Sequence, residues 1–311
     1  MRRHVLGALG VFAMMVMALG AMIFSAIPAD RAQAQEAASG SPVLARIMQS
    51  GTLRVGVNPL FKPFSFMKDG KRVGVDADIA ALLAKKLGVK VELVAPESFG
   101  ELIPMVKDGK VDVVMAGMSI TFDRAKVVDF TDPYFETGLS ILANKGRMAK
   151  LGVALVKDEM TLVKRLKASG RLKKLRVAVT KGKAPERIAP RYFPGAQIVS
   201  FPSNEAAAEA VLKGDADIMV HDEMFLKVWL HDNAAKARFL TEVFPKPFKP
   251  DYYGFAVAKG NLDFVHMLNT FILAELEANG RILEYMNKYI PVKAQVSVRS
   301  YNITDDYYGG D

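Results

Sequence analysis

Short apolar runs alternate with amphipathic stretches along most of the chain. Leu53-Arg-Val-Gly-Val57 reads as a strand. Asp76 to Leu87 reads as a helix, with apolar positions at helical spacing and Gly88 as its stop, and Val89 to Val94 as a second strand. Phe99 to Lys107 reads as a helix ended by Asp108-Gly109, and Val111 to Met115 as a third strand. The resulting order, β-α-β-α-β-α, belongs to the α/β class.

The pattern then returns. Leu175-Arg-Val-Ala-Val179 echoes the first strand, and Lys213-Gly-Asp-Ala-Asp-Ile-Met-Val220 echoes Asp108-Gly-Lys-Val-Asp-Val-Val-Met115. Any two βαβ units share part of this pattern, but 311 residues leave room for two such units. We therefore expect two lobes, each a mixed sheet flanked by helices, with strand ends facing each other. Lobe 1 is expected over residues 51–136 and 255–290, and lobe 2 over 137–254, with hinge crossings at 137–145 and 251–258. An insertion, 148–174, carries the amphipathic run Met160 to Leu166, which reads as a helix covering the second lobe. Asp263 to Tyr289 reads as helix again, broken near Gly280.

The two ends read differently. Basic Met1-Arg-Arg-His4 precedes an apolar run from Val5 to Ile27, and Ala32-Gln-Ala34 has the small-x-small form of a signal-peptidase site. Residues 1–34 are expected to be a signal peptide cut after Ala34; an uncleaved anchor is the alternative, and both put the folded part outside the cytoplasm. Residues 35–50 are read as a linker and domain start, and 291–311 as a loosely ordered tail without an assigned role. The chain has no cysteine, so it has neither disulfides nor a thiol for lipid attachment, and a diffusible periplasmic monomer fits. The net charge of +9 falls to +7 once three arginines and one aspartate leave with residues 1–34. Lysines and arginines are scattered without interleaved aromatics, which argues against a nucleic-acid partner.

Candidate chemistry concentrates in Val113-Val-Met-Ala-Gly-Met-Ser-Ile-Thr-Phe-Asp-Arg124. A strand runs into a small-residue turn at Ala116-Gly117. Thr121 is placed to cap a helix whose free N–H groups attract negative charge, and Arg124 offers a planar fork for a carboxylate. Ligands of open α/β sheets bind at such junctions. Asp222, at the equivalent place in the second unit, reads either as an acceptor for an ammonium or as the cap of the helix that follows. Phe61 and Phe99 follow strands and are candidate ligand walls, whereas Phe64 and Phe66 are assigned to packing. No Gly-x-Ser-x-Gly, phosphate-loop or His-Glu-x-x-His motif is present. His231 and His266 stand on amphipathic helices, His4 leaves with the signal, and only His221 lies near the expected cleft. Asp76-Ala-Asp78 lacks the glycine and late glutamate of a calcium loop and reads as a helix start, so no metal or cofactor is expected.

From Gly51 to about residue 290 the chain resembles the family 3 periplasmic solute-binding proteins, the polar amino-acid receptors of ABC importers, which have a type II periplasmic binding fold. The resemblance is carried by Gly51-Thr-Leu-Arg-Val-Gly-Val57, Phe61-Lys-Pro-Phe-Ser-Phe66, Gly74-Val-Asp-Ala-Asp-Ile79, Leu102-Ile-Pro104, Ala116-Gly-Met-Ser-Ile-Thr-Phe-Asp-Arg124 and Phe130-Thr-Asp-Pro-Tyr-Phe135. Carried over, it implies that Arg124 holds the ligand α-carboxylate with help from Ser119 and Gly117, that Asp222 takes the α-ammonium, and that Phe61 and Phe99 stack on the ligand. Asn58 occupies a position where receptors for cationic amino acids often carry Asp, which argues against lysine or arginine as ligand. Where many members have Gly-Thr-Thr or Gly-Thr-Ser, this chain has Gly182-Lys-Ala-Pro185, which removes hydroxyl contacts and one backbone donor. Lys183 reads either as a solvated side chain or as a cation that attracts an acidic group. The implied function is a hinge-closing amino-acid receptor that serves a membrane permease. The alternative is an enzyme on the same scaffold, a lyase like cyclohexadienyl dehydratase, with Glu186 or Glu223 as its acid.

Overall fold

The computed structural model describes residues 41–290, so the expected signal segment, residues 35–40 of the expected linker and the tail lie outside it. The described part opens with a helix not anticipated in the sequence, α1 (Pro42–Ser50), whose first turn is capped by the Ser41 hydroxyl. Strand β1 (Thr52–Gly56) follows. A hairpin of β2 (Phe66–Lys68) and β3 (Lys71–Val73) then turns at Asp69-Gly70, both with positive φ. Next come α2 (Val75–Leu87), β4 (Lys90–Val94), α3 (Leu102–Lys107), the short β5 (Val113–Val114), the one-turn α4 (Phe122–Ala125) and β6 (Val128–Phe130).

The chain then enters a second sheet through β7 (Phe135–Asn144). Helices α5 (Lys145–Lys150) and α6 (Glu159–Ala168) lead to β8 (Arg176–Thr180), α7 (Ala184–Tyr192) and β9 (Gln197–Phe201). Helix α8 (Asn204–Lys213), β10 (Ile218–Asp222), α9 (Glu223–Asp232), α10 (Ala234–Ala237), β11 (Thr241–Val243) and β12 (Lys249–Tyr253) complete that half. The chain returns through β13 (Ala256–Ala258) and α11 (Leu262–Phe271), and ends in α12 (Arg281–Tyr289) after a break at Gly280.

Two mixed sheets result. The first has strand order β4-β1-β5-β13-β6, with β4, β1 and β5 parallel and β13 antiparallel to its neighbours. The second has the order β11-β7-β10-β8-β9, with β12 also pairing along β7. The link expected over 137–145 is instead part of the ten-residue strand β7, hydrogen-bonded into the second sheet. The crossings are the steps 131–134 and 254–255. They are laced together, since Thr131 N donates to Phe255 O at 3.0 Å and Phe255 N donates to Thr131 Oγ1 at 2.9 Å.

Alternation along the strands sets the cores. In β7, Leu139, Ile141 and Ala143 face one cluster while Leu142 faces another. The first of these clusters receives Leu162 and Leu166 of α6, so the helix expected between Met160 and Leu166 does cover the second sheet. The cluster containing Leu142 continues into the first sheet through Val55, Val113 and Val257.

The sequence echo has a structural counterpart. Asp112, just before β5, accepts from Arg54 N and from the Arg54 guanidinium, both at 2.8 Å. Asp217, just before β10, accepts from Arg176 N at 2.8 Å and its guanidinium at 2.9 Å. Burial alone would raise the Asp217 pKa, but the hydrogen bonds from Arg176 and Arg147 outweigh it and hold the carboxyl below its ordinary value.

Candidate binding cleft

Seven of the residues singled out in the sequence line one small cavity between the sheets: Phe61, Phe99, Gly117, Ser119, Arg124, Lys183 and Asp222. Asn58 is not among them. It is buried, its amide donates to Ala116 O at 3.2 Å and its carbonyl accepts from Leu60 N, so backbone takes up both polar ends.

Arg124 is carried by α4, which Thr121 caps through a 3.3 Å bond from Arg124 N. This helix is one turn long, so it does not have the helix-terminal anion site expected from the sequence. The positive charge comes from the guanidinium itself. One of its nitrogens donates to Ser119 O at 2.9 Å and another reaches across the cleft to Gly182 O at 3.2 Å. Its plane lies against Phe99, 5.3 Å from the ring centroid. Burial lowers its pKa only to about 10, so it stays charged at neutral pH.

Gly117 is required by geometry. Its φ is +55°, and a Cβ there would lie 2.5 Å from Phe61 Cε1. Its N–H donates to the Tyr134 hydroxyl at 3.2 Å, and that hydroxyl donates to Asp76 Oδ1 at 2.6 Å. Asp76 was read as a mere helix start, but it is fully buried, and burial pushes its carboxyl up to about 7 against the opposing hydrogen bond from Tyr134. Tyr134→Phe is expected to destabilise the fold by about 1–3 kcal/mol, because it removes the buried hydroxyl that accepts from Gly117 N and donates to Asp76 Oδ1. Chemical denaturation reads this loss directly.

The opposite wall comes from the second sheet. Asp222 both caps α9 and lines the cavity: Oδ1 accepts from Met224 N at 2.8 Å and Phe225 N at 3.2 Å, while Oδ2 accepts from Thr137 Oγ1. Its two sequence readings are therefore compatible. Burial raises the Asp222 carboxyl to about 7, with hydrogen bonds from Thr137 and Tyr253 opposing. Asp251 and Tyr253, which the sequence offered only as hinge residues, also line the cavity, and Asp251 accepts from Ser119 Oγ at 2.7 Å. His221 is buried with both ring nitrogens unpartnered, and burial followed by the nearby Lys183 pushes its pKa well down, so it is a neutral wall.

Lys183 is not a solvated side chain. It is 7% exposed, and its ammonium nitrogen lies 4.4 Å from the Phe61 centroid and 4.9 Å from that of Phe99. At the rim the backbones nearly touch, because a Cβ on Gly182 would stand 3.0 Å from Gly100 Cα. The cleft is closed, and the remaining cavity of about 20 Å³ holds about one water molecule.

Known proteins share this architecture. The ABC transporter glutamine-binding protein of Bacillus subtilis (strain 168) is 30% identical over 286 residues, covering 90% of this chain and 97% of that protein. The crystal structure of the ancestral amino acid-binding protein AncCDT-1, a precursor of cyclohexadienyl dehydratase, superposes with a TM-score of 0.66 at 34% identity, covering 81% of this chain and all of that one. An ancestral arginine-binding protein bound to arginine superposes with a TM-score of 0.65 at 33% identity, covering 78% of this chain and 99% of the other. The pattern of the bacterial extracellular solute-binding proteins, family 3, matches residues 53–292, and the chain belongs to that family.

Proposed function

We propose that the protein is a periplasmic receptor that closes on a small amino acid or similar zwitterion and delivers it to the membrane permease of an ABC importer. The observation that carries this reading is the separation of charge across one cavity. The Arg124 guanidinium stands on the side of the first sheet, and the Asp222 and Asp251 carboxyls on the side of the second. A zwitterion reaches both sides only when the halves meet, so its binding favours the closed arrangement.

In this reading Arg124 holds the α-carboxylate with Ser119 and the backbone at Gly117, Asp222 takes the α-ammonium, and Phe61 and Phe99 flank the ligand. The receptor acts as a monomer, is exported by residues 1–34, and needs no cofactor, metal or nucleic acid. It is not an enzyme. The two acids considered for a lyase are occupied elsewhere: Glu186 accepts from Gly182 N and Ser200 Oγ at 2.8 and 2.6 Å, and Glu223 pairs with Lys227 at 2.7 Å.

A ligand bound only by the folded state raises its melting temperature, by an amount equivalent to about 2.7 kcal/mol at a hundred times its Kd. A thermal-shift screen of the twenty amino acids followed by calorimetry is expected to give at least one ligand. A screen in which none binds refutes the proposal, and turnover of prephenate or arogenate establishes the lyase instead.

A further inference from the structure

Lys183 lines the closed cavity. Its Nζ sits between two ring faces, and among the described residues it forms no ion pair or hydrogen bond. The charged and titratable groups that act on it are Arg124 from the first half, and Glu205, His221 and Asp222 from the second, all at longer range than an ion pair. A buried cation held only by aromatic rings is costly relative to one with a counter-charge. A cationic ligand side chain entering here would face this ammonium at close quarters. A neutral one would displace it and give it no partner, whereas an anionic one would complete it.

The approach to the cleft has the same bias. A groove of about 360 Å³ shares Arg124, Lys183 and Ala184 with the inner cavity and adds Arg187, Arg191 and Lys249, with Asp123 as its one carboxylate. Such a basic mouth concentrates anions and speeds their arrival.

Building on the amino-acid receptor reading, we infer that the ligand is an amino acid with a second acidic group, as in aspartate or glutamate, and that Lys183 is the specificity residue that receives that group. The cleft then matches its ligand group by group: the α-carboxylate meets Arg124, the ammonium meets Asp222 beside Asp251, and the distal carboxylate meets Lys183. The amine has to leave the two ring faces to make this contact, and the cleft, which when closed holds about one water, has to open to admit the ligand.

The test is calorimetry with the pairs glutamate/glutamine and aspartate/asparagine. Wild-type protein is expected to prefer an acid over its amide by about tenfold to a hundredfold, the worth of a hydrogen bond to a charged group. Lys183→Met and Lys183→Gln are expected to bring that ratio close to one while still binding the amide. A proton readout on the wild type needs no variant. Burial, with Arg124 nearby, lowers the Lys183 pKa to about 7, so a carboxylate that re-protonates the amine takes up a proton at pH 8, and calorimetric heats for the acid depend on the buffer's ionisation enthalpy. Wild type that prefers amides or other neutral amino acids overturns the inference and leaves the receptor reading standing, as does an unchanged ratio in the Lys183 variants. Wild type that binds no amino acid overturns the receptor reading itself.

Discussion

Arg124→Ala is expected to weaken amino-acid binding by about 2–5 kcal/mol, a factor of roughly 30 to several thousand, measured by calorimetry at neutral pH. The size follows from burial. The guanidinium is 5% exposed, charged, and aimed into a cleft from which solvent is nearly excluded, so no water replaces it when a carboxylate arrives. Arg124→Lys is expected to fall between the two, because lysine restores the charge but not the fork that joins Ser119 O, Gly182 O and a ligand oxygen. The Ala variant also loses the bond to Gly182 O, which ties one half to the other, so the ligand-free protein is expected to spend more time open. Small-angle scattering would show this as an increased radius of gyration.

Asp222→Asn is expected to remove most of the rise of binding with pH below about 7 and to leave binding weak at every pH. In the wild type the carboxyl, raised to about 7, is mostly neutral at pH 5.5 and mostly ionised at pH 8. An ammonium binds the ionised form, so this contribution to affinity rises with pH by up to about tenfold per unit below 7 and levels off above it, where the proton that Lys183 takes up makes binding of an acidic ligand weaken again. The asparagine keeps an oxygen for Met224 N and Phe225 N, so α9 stays capped and the effect is on charge. The ligand-free protein responds with the opposite sign. A carboxyl whose folded pKa lies above its unfolded value near 3.8 contributes stability at low pH that is lost as pH rises toward 7. Asp222→Asn removes that part of the slope in chemical denaturation, while Asp76, also raised to about 7, retains its own part.

Much of this fold is legible in the sequence because local rules agree with one another. The helix ended by Gly88 has a glycine in the left-handed region where its apolar periodicity stops, and it begins one residue before the expected Asp76. The echo between Asp108–Met115 and Lys213–Val220 pointed to two similar units, and each echo contains the aspartate that accepts from Arg54 or Arg176. The first crossing was placed too late: Asp132-Pro133 breaks the chain between β6 and β7, whereas Phe135 to Asn144 runs on as one strand, buried from Gly138 onward; the second crossing, 254–255, falls within the expected 251–258. Within the site, strand ends and helix starts pointed to Phe61, Phe99, Gly117, Ser119, Arg124 and Asp222. Asp251 and Tyr253 were missed because their sequence neighbours are hinge residues, and their role exists only where β12 meets Ser119 and Ile120 across the cleft. Asp76 was missed because an acid in the first turn of a helix is ordinary, and its partner Tyr134 is 58 residues away. For Lys183 the sequence marked the altered loop but not the direction of the side chain, which depends on two aromatic rings from the other half.

The paired clamps of Asp112 on Arg54 and Asp217 on Arg176 have a mechanical consequence. Each fixes two neighbouring parallel strands in register from the main chain of one to a buried carboxylate before the other. A slip of one residue would turn every side chain in a strand to the wrong face. Slippage of β1 against β5 and of β8 against β10 is thereby opposed within each sheet, so closing by rotation about the two crossings costs less than shearing either of these strand pairs.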